Sequence, residues 1–438
     1  MSTLIYALCS RLFQILAGIG VGTNLGLYQV FFALLSGRCL QSRGALFPAL
    51  TDSGLPPEAV RRSVAAVAYG KWKITDLIAA WQKCVRKECR FRAHCYEGYS
   101  PVACDLVGFF RPRLQGQVGK HYTSKSDKAQ PAIVFGMVAT VGSVGNKRLP
   151  LLRALTRQKP QETEVQLQAR LLKETASTLT PKELFVADAG FALTDCLLCE
   201  GAGFVIRLDQ NATARRNRLP EYKGHGARPK YGEVVRPLSR TYKGKEIPAT
   251  APDATARWKA GKHWVRAHLF EDLVLANAKP ESARFRIVVI FDPRYKKPLV
   301  LGTNKPLTAY ALWCIYADRW PVEQMPLAAK QMLGCERSFV HNDQSRWRLP
   351  ELSMLAGNLL SYVAACGQPV ATGFWDRAAR PTCGRVRRLL GRLHFSDLPL
   401  LSGQVRKKNS PTAHLPKGVA AHRRKTRYFK ADKQGVEA

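Results

Sequence analysis

Residues 184–191 read LFVADAGF. Four apolar residues that close on Asp188 and run into Ala189-Gly190 have the pattern of a strand buried on both faces and ended by a turn. An apolar helical segment, 191–198, comes next, and a further strand, 204–208, follows it. Residues 101–105 (PVACD) show the same run of apolar residues closing on Asp105. Between the two motifs lie a buried strand at 132–141 (AIVFGMVATV), a short strand at 148–152, and a segment of helical period at 162–176 with acidic residues in its first turn. Strands alternating with helices predict an α/β sheet. Ligand sites of open α/β sheets lie at the carboxyl ends of strands, which selects Asp105 and Asp188. Either aspartate alone is as readily a turn former or a helix cap.

A third carboxylate stands in residues 316–330, YADRWPVEQMPLAAK. Tyr316, Arg319, Glu323 and Lys330 follow the spacing Y-x2-R-x3-E-x6-K. At about 100° per residue these positions fall within roughly 60° of one another on an ideal helix. One face would then carry a carboxylate, two cations and a phenol. A carboxylate holds a divalent metal, and neighbouring cations hold phosphates beside it. The competing reading is a solvated face with an i,i+4 ion pair from Arg319 to Glu323. Pro326 falls inside the segment and predicts a kink that shifts Lys330 off the shared face.

The chain has 438 residues, 68 Lys and Arg against 32 Asp and Glu, and a net charge of +36. That excess points to a polyanionic partner, with a ribosomal or membrane-surface protein as the other readings. A hydrophobic content of 46% excludes a disordered chain, and the length allows two or three domains. The twelve cysteines are scattered and do not form a secreted disulfide framework, so they read as reduced cytoplasmic thiols. Cys196 and Cys199 lack a second CxxC and read as packed thiols. The spacing of Cys84, Cys89, His94 and Cys95 fits no common zinc knuckle. Residues 12–36 carry no charged side chain and have the length of a membrane span, but four glycines and several polar residues favour buried helices broken around 18–26.

The organisation follows from these patterns. Residues 1–95 read as a helical domain that Arg38, Arg43, Arg61 and Arg62 suit to DNA binding, although no helix-turn-helix is identifiable and a plain helical cap is the other reading. Pro56-Pro57 opens a helix, and Val60, Val64, Val67 and Ala68 recur at helical spacing. Residues 96–208 form the first part of the core. Residues 209–283 read as a β-rich insertion with strands at 233–235, 264–270 and 273–275. Residues 284–400 return to the core through a hairpin, 285–291 with 299–301, and are helical from 308 through the Tyr316–Lys330 motif. Residues 401–438 form a basic tail.

This combination resembles the DDE transposases of bacterial insertion sequences, in particular the branch defined by the Y-x2-R-x3-E-x6-K motif. Tyr316, Arg319, Glu323 and Lys330 match it in type and spacing. FVADAGF around Asp188, FVIRL after it, GHGARPKYG in the insertion, and LSGR with SRGAL near the N-terminus are similar to further stretches of that family. The resemblance implies an α/β, ribonuclease-H-like catalytic core with a β-rich insertion and an N-terminal helical domain. It implies that Asp105, Asp188 and Glu323 are catalytic and hold two Mg2+ ions, with Mn2+ as a substitute. It implies that Tyr316, Arg319, Lys330 and Arg207 contact DNA, and that Trp264 or Trp258 stacks on an extruded base. The activity implied is cleavage of double-stranded DNA at terminal inverted repeats and joining of 3′ hydroxyls to a target, often through a hairpin, by a homodimer on DNA. The location implied is the cytoplasm, at the nucleoid, with no membrane. Asp105 is followed by Leu106-Val107 rather than a small polar pair, and Asp127 is the substitute for it. The competing reading is a decayed, transposase-derived DNA-binding protein.

Overall fold

The computed structural model describes residues 3–111, 119–123, 127–222, 224–337, 342–371, 373–380, 382–399, 403 and 405–407. Nearly all of the predicted basic tail therefore lies outside the described residues. The chain opens with helices α1 (Thr3–Leu16), α2 (Thr23–Leu35), α3 (Arg38–Gln41), α4 (Leu46–Asp52), α5 (Pro57–Tyr69) and α6 (Ile74–Glu88). The uncharged 12–36 stretch is two core helices separated at Gly18–Gly22, and among the described residues no helix is long and apolar enough to cross a membrane. Pro57 stands in the first turn of α5, where its missing N–H costs nothing, and Val60 and Val67 face the core.

Strands β1 (Phe91–Ala93), β2 (Ser100–Phe110), β3 (Gly119–Thr123), β4 (Lys128–Val144) and β5 (Lys147–Arg157) follow. Then come α7 (Glu164–Ala176), β6 (Glu183–Ala187), α8 (Leu193–Leu197) and β7 (Gly203–Arg207). Helix α7 starts later than its acidic pattern predicts, because Thr163 and Gln166 form a capping box that fixes its first turn. In the heart of the sheet the order is β5-β4-β2-β6-β7. The pairings β5–β4 and β4–β2 are antiparallel; β2–β6 and β6–β7 are parallel.

The later strands extend this sheet. They are β8 (Ala214–Arg216), β9 (Val234–Val235), the separate hairpin β10 (Arg240–Tyr242) and β11 (Lys245–Ile247), β12 (Ala254–Ala260), β13 (His263–Leu275), β14 (Phe285–Phe291) and β15 (Leu299–Thr303). β14 and β15 form a hairpin, and β15 lies antiparallel on β7. The two strands expected at 264–270 and 273–275 are one strand, β13, carrying a bulge at Glu271-Asp272 where Asp272 takes a positive φ of 48°. Thirteen strands in all, among the described residues, make one mixed sheet.

After β15 come α9 (Ala309–Ala317), α10 (Gln324–Leu327), α11 (Asp343–Cys366) and α12 (Cys383–Gly391). One core joins α1, α2, α5, α6 and α11 to one face of β2, β4 and β5. On that same side α9 packs over β6, β7, β14 and β15. Helices α7 and α8 cover the opposite face. The β6 run Leu184 to Ala187 is therefore buried on both sides, as its unbroken apolar sequence requires.

Helix α11 is the spine of this arrangement. Asn358 is fully buried on it, accepts the Trp81 indole N–H (2.8 Å) and the Leu152 amide (3.1 Å), and donates to the Pro150 carbonyl (2.7 Å). It thus satisfies β5 at the bulge where Arg153 has no partner on β4. Glu88 of α6 meets Arg11 of α1 (2.7 Å) and the Tyr362 hydroxyl of α11 (3.0 Å). Asn358→Leu leaves two buried donors unpaired. We expect a loss of about 3 kcal/mol or more in urea unfolding, against a change near zero if water replaced the amide.

Candidate active site

Two parallel registers set the site. Ala103 lies opposite Val186, and Ala187 lies opposite Ile206. Continued by one or two residues, these registers align Asp105, Asp188 and Arg207 across β2, β6 and β7. Val102, Phe185 and Phe204 point to the α7 face, and so do Cys104, Ala187 and Ile206. Strand alternation therefore turns the next row toward the face that carries α9. Asp105 lies inside β2 rather than at its end, because antiparallel pairing with β4 carries β2 on to Phe110. β6 does stop at Ala187, and the Asp188 carboxylate then accepts the Gly190 amide at 3.0 Å.

The 316–330 segment is not one helix. α9 ends at Ala317, a turn carries Asp318 and Arg319, and a 3-10 turn spans Trp320–Glu323. Helix α10 follows, and then a π-helical turn, Ala328–Met332. Pro321 opens the 3-10 turn; Pro326 withholds a donor within the next turn, and the Leu333 amide reaches back five residues to the Ala328 carbonyl (3.1 Å).

Arg319 is 7% exposed and sits among three carboxylates. Its guanidinium is 3.2 Å from Asp105, 4.0 Å from Asp188 and 2.9 Å from Glu323. The Tyr316 ring lies 5.8 Å from its carbon. Burial pushes the Asp105 carboxyl up to about 6, with Arg319 opposing and the Asp188 charge adding to the rise. Asp105 thus pairs with a cation and is still harder to ionise than a free aspartate, because the cost of burying its charge outweighs the attraction of the guanidinium.

Lys330 is placed differently from the ideal helix face. Its ammonium lies 5.4 Å from the ring centroids of both Phe109 and Phe110. Phe109 is four residues, roughly 13 Å, along β2 from Asp105. Arg207 is exposed at the end of β7. Trp264 is 52% exposed on β13, with the Arg257 guanidinium 4.1 Å over its ring, whereas Trp258 packs against Tyr310 and Trp313 as part of the core. Asp127 stands in the turn before β4, hydrogen-bonded to Tyr122, with its backbone at a φ of 52°. Cys196 is buried, and Cys199 donates to the Asp195 carbonyl (3.3 Å).

Sequence reading passed over the residues that hold Arg319 in place. Asp318 is fully buried and accepts from His94 Nδ1 (2.7 Å) and the Tyr96 hydroxyl (2.8 Å), with Arg148 at 3.3 Å. His94 Nε2 meets the Ser143 hydroxyl at 2.6 Å. The neutral tautomer that donates from Nδ1 to Asp318 accepts from Ser143 at Nε2. His94 is therefore a strut between β4 and the turn before Arg319, not a member of a cysteine metal cluster. Trp320, 63% exposed beside Arg319, is a second omission. The sequence signal for it was a tryptophan within a charged, proline-bearing turn.

The donor set suits a hard divalent cation: three carboxylates, oxygen ligands only, gathered about a point that already holds a positive group. As the side chains stand, no three His, Cys, Asp or Glu groups among the described residues close around one ion, because the guanidinium lies between them. Compared with models of known protein families and with curated proteins, the chain has no match.

The raised Asp105 pKa has a definite sign in metal-free protein. Its folded value, about 6, lies above that of a free aspartate, so its contribution to stability is fully present in acid and is lost as pH rises through the folded value. The stability of wild type relative to Asp105→Asn should fall by about 2–3 kcal/mol between about pH 4 and about pH 7, measured by urea unfolding. Parallel profiles for the two proteins would remove Asp105 from a strained buried cluster.

Proposed function

We propose that this chain is a DDE-type DNA transposase that cuts DNA at the ends of a mobile element and joins the 3′ hydroxyls to a target. The observation that carries the reading is the meeting of Asp105, Asp188 and Glu323 around Arg319, from two adjacent parallel strands and a later helical turn. The resemblance read from the sequence requires three such carboxylates, and the first of them was its weakest element. The β5-β4-β2-β6-β7 run, with two antiparallel and two parallel pairings, Asp105 within β2 and Asp188 directly after β6, supports the ribonuclease-H-like core.

Asp105, Asp188 and Glu323 would hold Mg2+. When bound, the ions supply an activated oxygen nucleophile and stabilise the leaving oxygen in displacement at phosphorus. The chain's own groups do the rest. The Asp318 network fixes the turn that presents Arg319. Arg207 stands exposed at the same strand edge as the carboxylates, which supports a contact with a DNA phosphate. The net charge of +36 supplies sequence-independent attraction to DNA. Two ends would be held by a homodimer on DNA. A DNA-binding derivative without cleavage uses the same basic surface; the placement of Asp105 beside Asp188 favours the enzyme.

Protein incubated with DNA spanning the inverted repeats that flank its gene should cut at the repeat boundary with Mg2+ and not with EDTA. Glu323→Gln should bind those ends with little change and lose cleavage; equal cutting by the variant rejects the role of Glu323. Lys330→Ala should weaken end binding and lower the slope of log affinity against log salt by about 1. An unchanged slope would take Lys330 out of the phosphate contacts.

A further inference from the structure

Arg319 does more in this fold than offer a charge to DNA. Its guanidinium stands where the three carboxylates converge, at 3.2, 4.0 and 2.9 Å from Asp105, Asp188 and Glu323. A divalent ion held by the same oxygens would lie against a buried like charge. The two cations are therefore alternatives at one place. We propose that Arg319 is the resident counter-cation of the site and must withdraw before a divalent ion enters, so that metal affinity depends on DNA drawing the guanidinium onto a phosphate. The proposal rests on the reading above, in which these carboxylates hold Mg2+.

Three observations make the exchange physically reasonable. The pairings of the guanidinium head run to the carboxylates, while its Nε is buried with no hydrogen-bond partner, so the head group is held by charges that a metal would satisfy better. Arg319 sits in the turn between α9 and the 3-10 segment, where a side chain swings without unwinding a helix. A phosphate diester offers guanidinium the same bidentate oxygen geometry as a carboxylate. Coupling of this kind is reciprocal: DNA that removes Arg319 raises metal affinity, and metal that displaces Arg319 raises DNA affinity by the same factor.

The test titrates Mn2+ into the full-length protein and follows free Mn2+ by electron paramagnetic resonance. Wild type, Arg319→Gln and Arg319→Lys are compared, with and without a short non-specific duplex, and the duplex's own Mn2+ binding is subtracted. Arg319→Gln should bind Mn2+ at least about tenfold more tightly than wild type without DNA, a coupling of ordinary size. Arg319→Lys should stay near wild type, and the duplex should raise the wild-type affinity toward that of Arg319→Gln. Equal affinities for wild type and Arg319→Gln, and no effect of duplex, overturn the exchange while leaving the metal site in place. No Mn2+ binding by any protein, with or without duplex, overturns the metal reading itself. If Arg319→Gln loses its fold by circular dichroism, the effect of duplex on wild type decides alone.

Discussion

The parallel pairing of β2 with β6 is the constraint on which the site depends. With Ala103 opposite Val186, Asp105 comes level with Asp188, and both fall on the side of the sheet that carries α9. A slip of one residue would turn Asp105 into the α7 face and bury a carboxylate among Leu171, Phe185 and Phe204. The apolar β6 run, covered on both faces, makes such a slip costly, so packing of the core and placement of the chemistry are the same event. The 316–330 segment then needs only to bring one further carboxylate across this edge. It does so through a turn pinned by Asp318, His94 and Tyr96.

The electrostatics run in two directions at once. The chain as a whole is strongly cationic, yet the group around Arg319 holds three carboxylates to one guanidinium and is partly buried. A local excess of negative charge inside a positive molecule is stable only if a cation sits with it, and Arg319 fills that position. Asp105 is the most deeply held of the three, and burial makes it a weaker acid in spite of the adjoining guanidinium.

Much of this was legible in the sequence where local rules govern. The LFVAD run reads as a buried strand because both faces of β6 are covered, and the i,i+4 spacing of Arg319 and Glu323 yields a real ion pair because three to four residues of helical turn suffice to make it. Lys330 leaves the ideal wheel, as Pro326 predicts: Pro321 and Pro326 divide the segment into 3-10, α and π turns, and the ideal angle does not survive the seven residues from Glu323. Helix α11 gives little periodic signal because it is buried almost all round, and the meaning of Asn358 depends on Trp81 and Leu152, far away in the chain. His94 was read with neighbouring cysteines, while its partners are Asp318 and Ser143. The expected insertion is less separate than its composition suggests, because β12 to β15 continue the main sheet edge to edge.

The shared core of the N-terminal helices and the sheet has a consequence for how this protein can be altered. Leu27, Phe31, Val67 and Trp81 lie in the same apolar mass as Phe109, Phe135, Leu152 and Leu355. The sheet has further apolar clusters under α7, α8 and α9, whereas the helical half has this one interior and shares it. A fragment ending near residue 95 would turn that mass outward and aggregate, so the helical part is not a module that recombination can trade between chains. Heritable variation in this protein has its freedom at the far margin of the sheet, around the small hairpin β10–β11, where side chains are exposed and little else leans on the backbone.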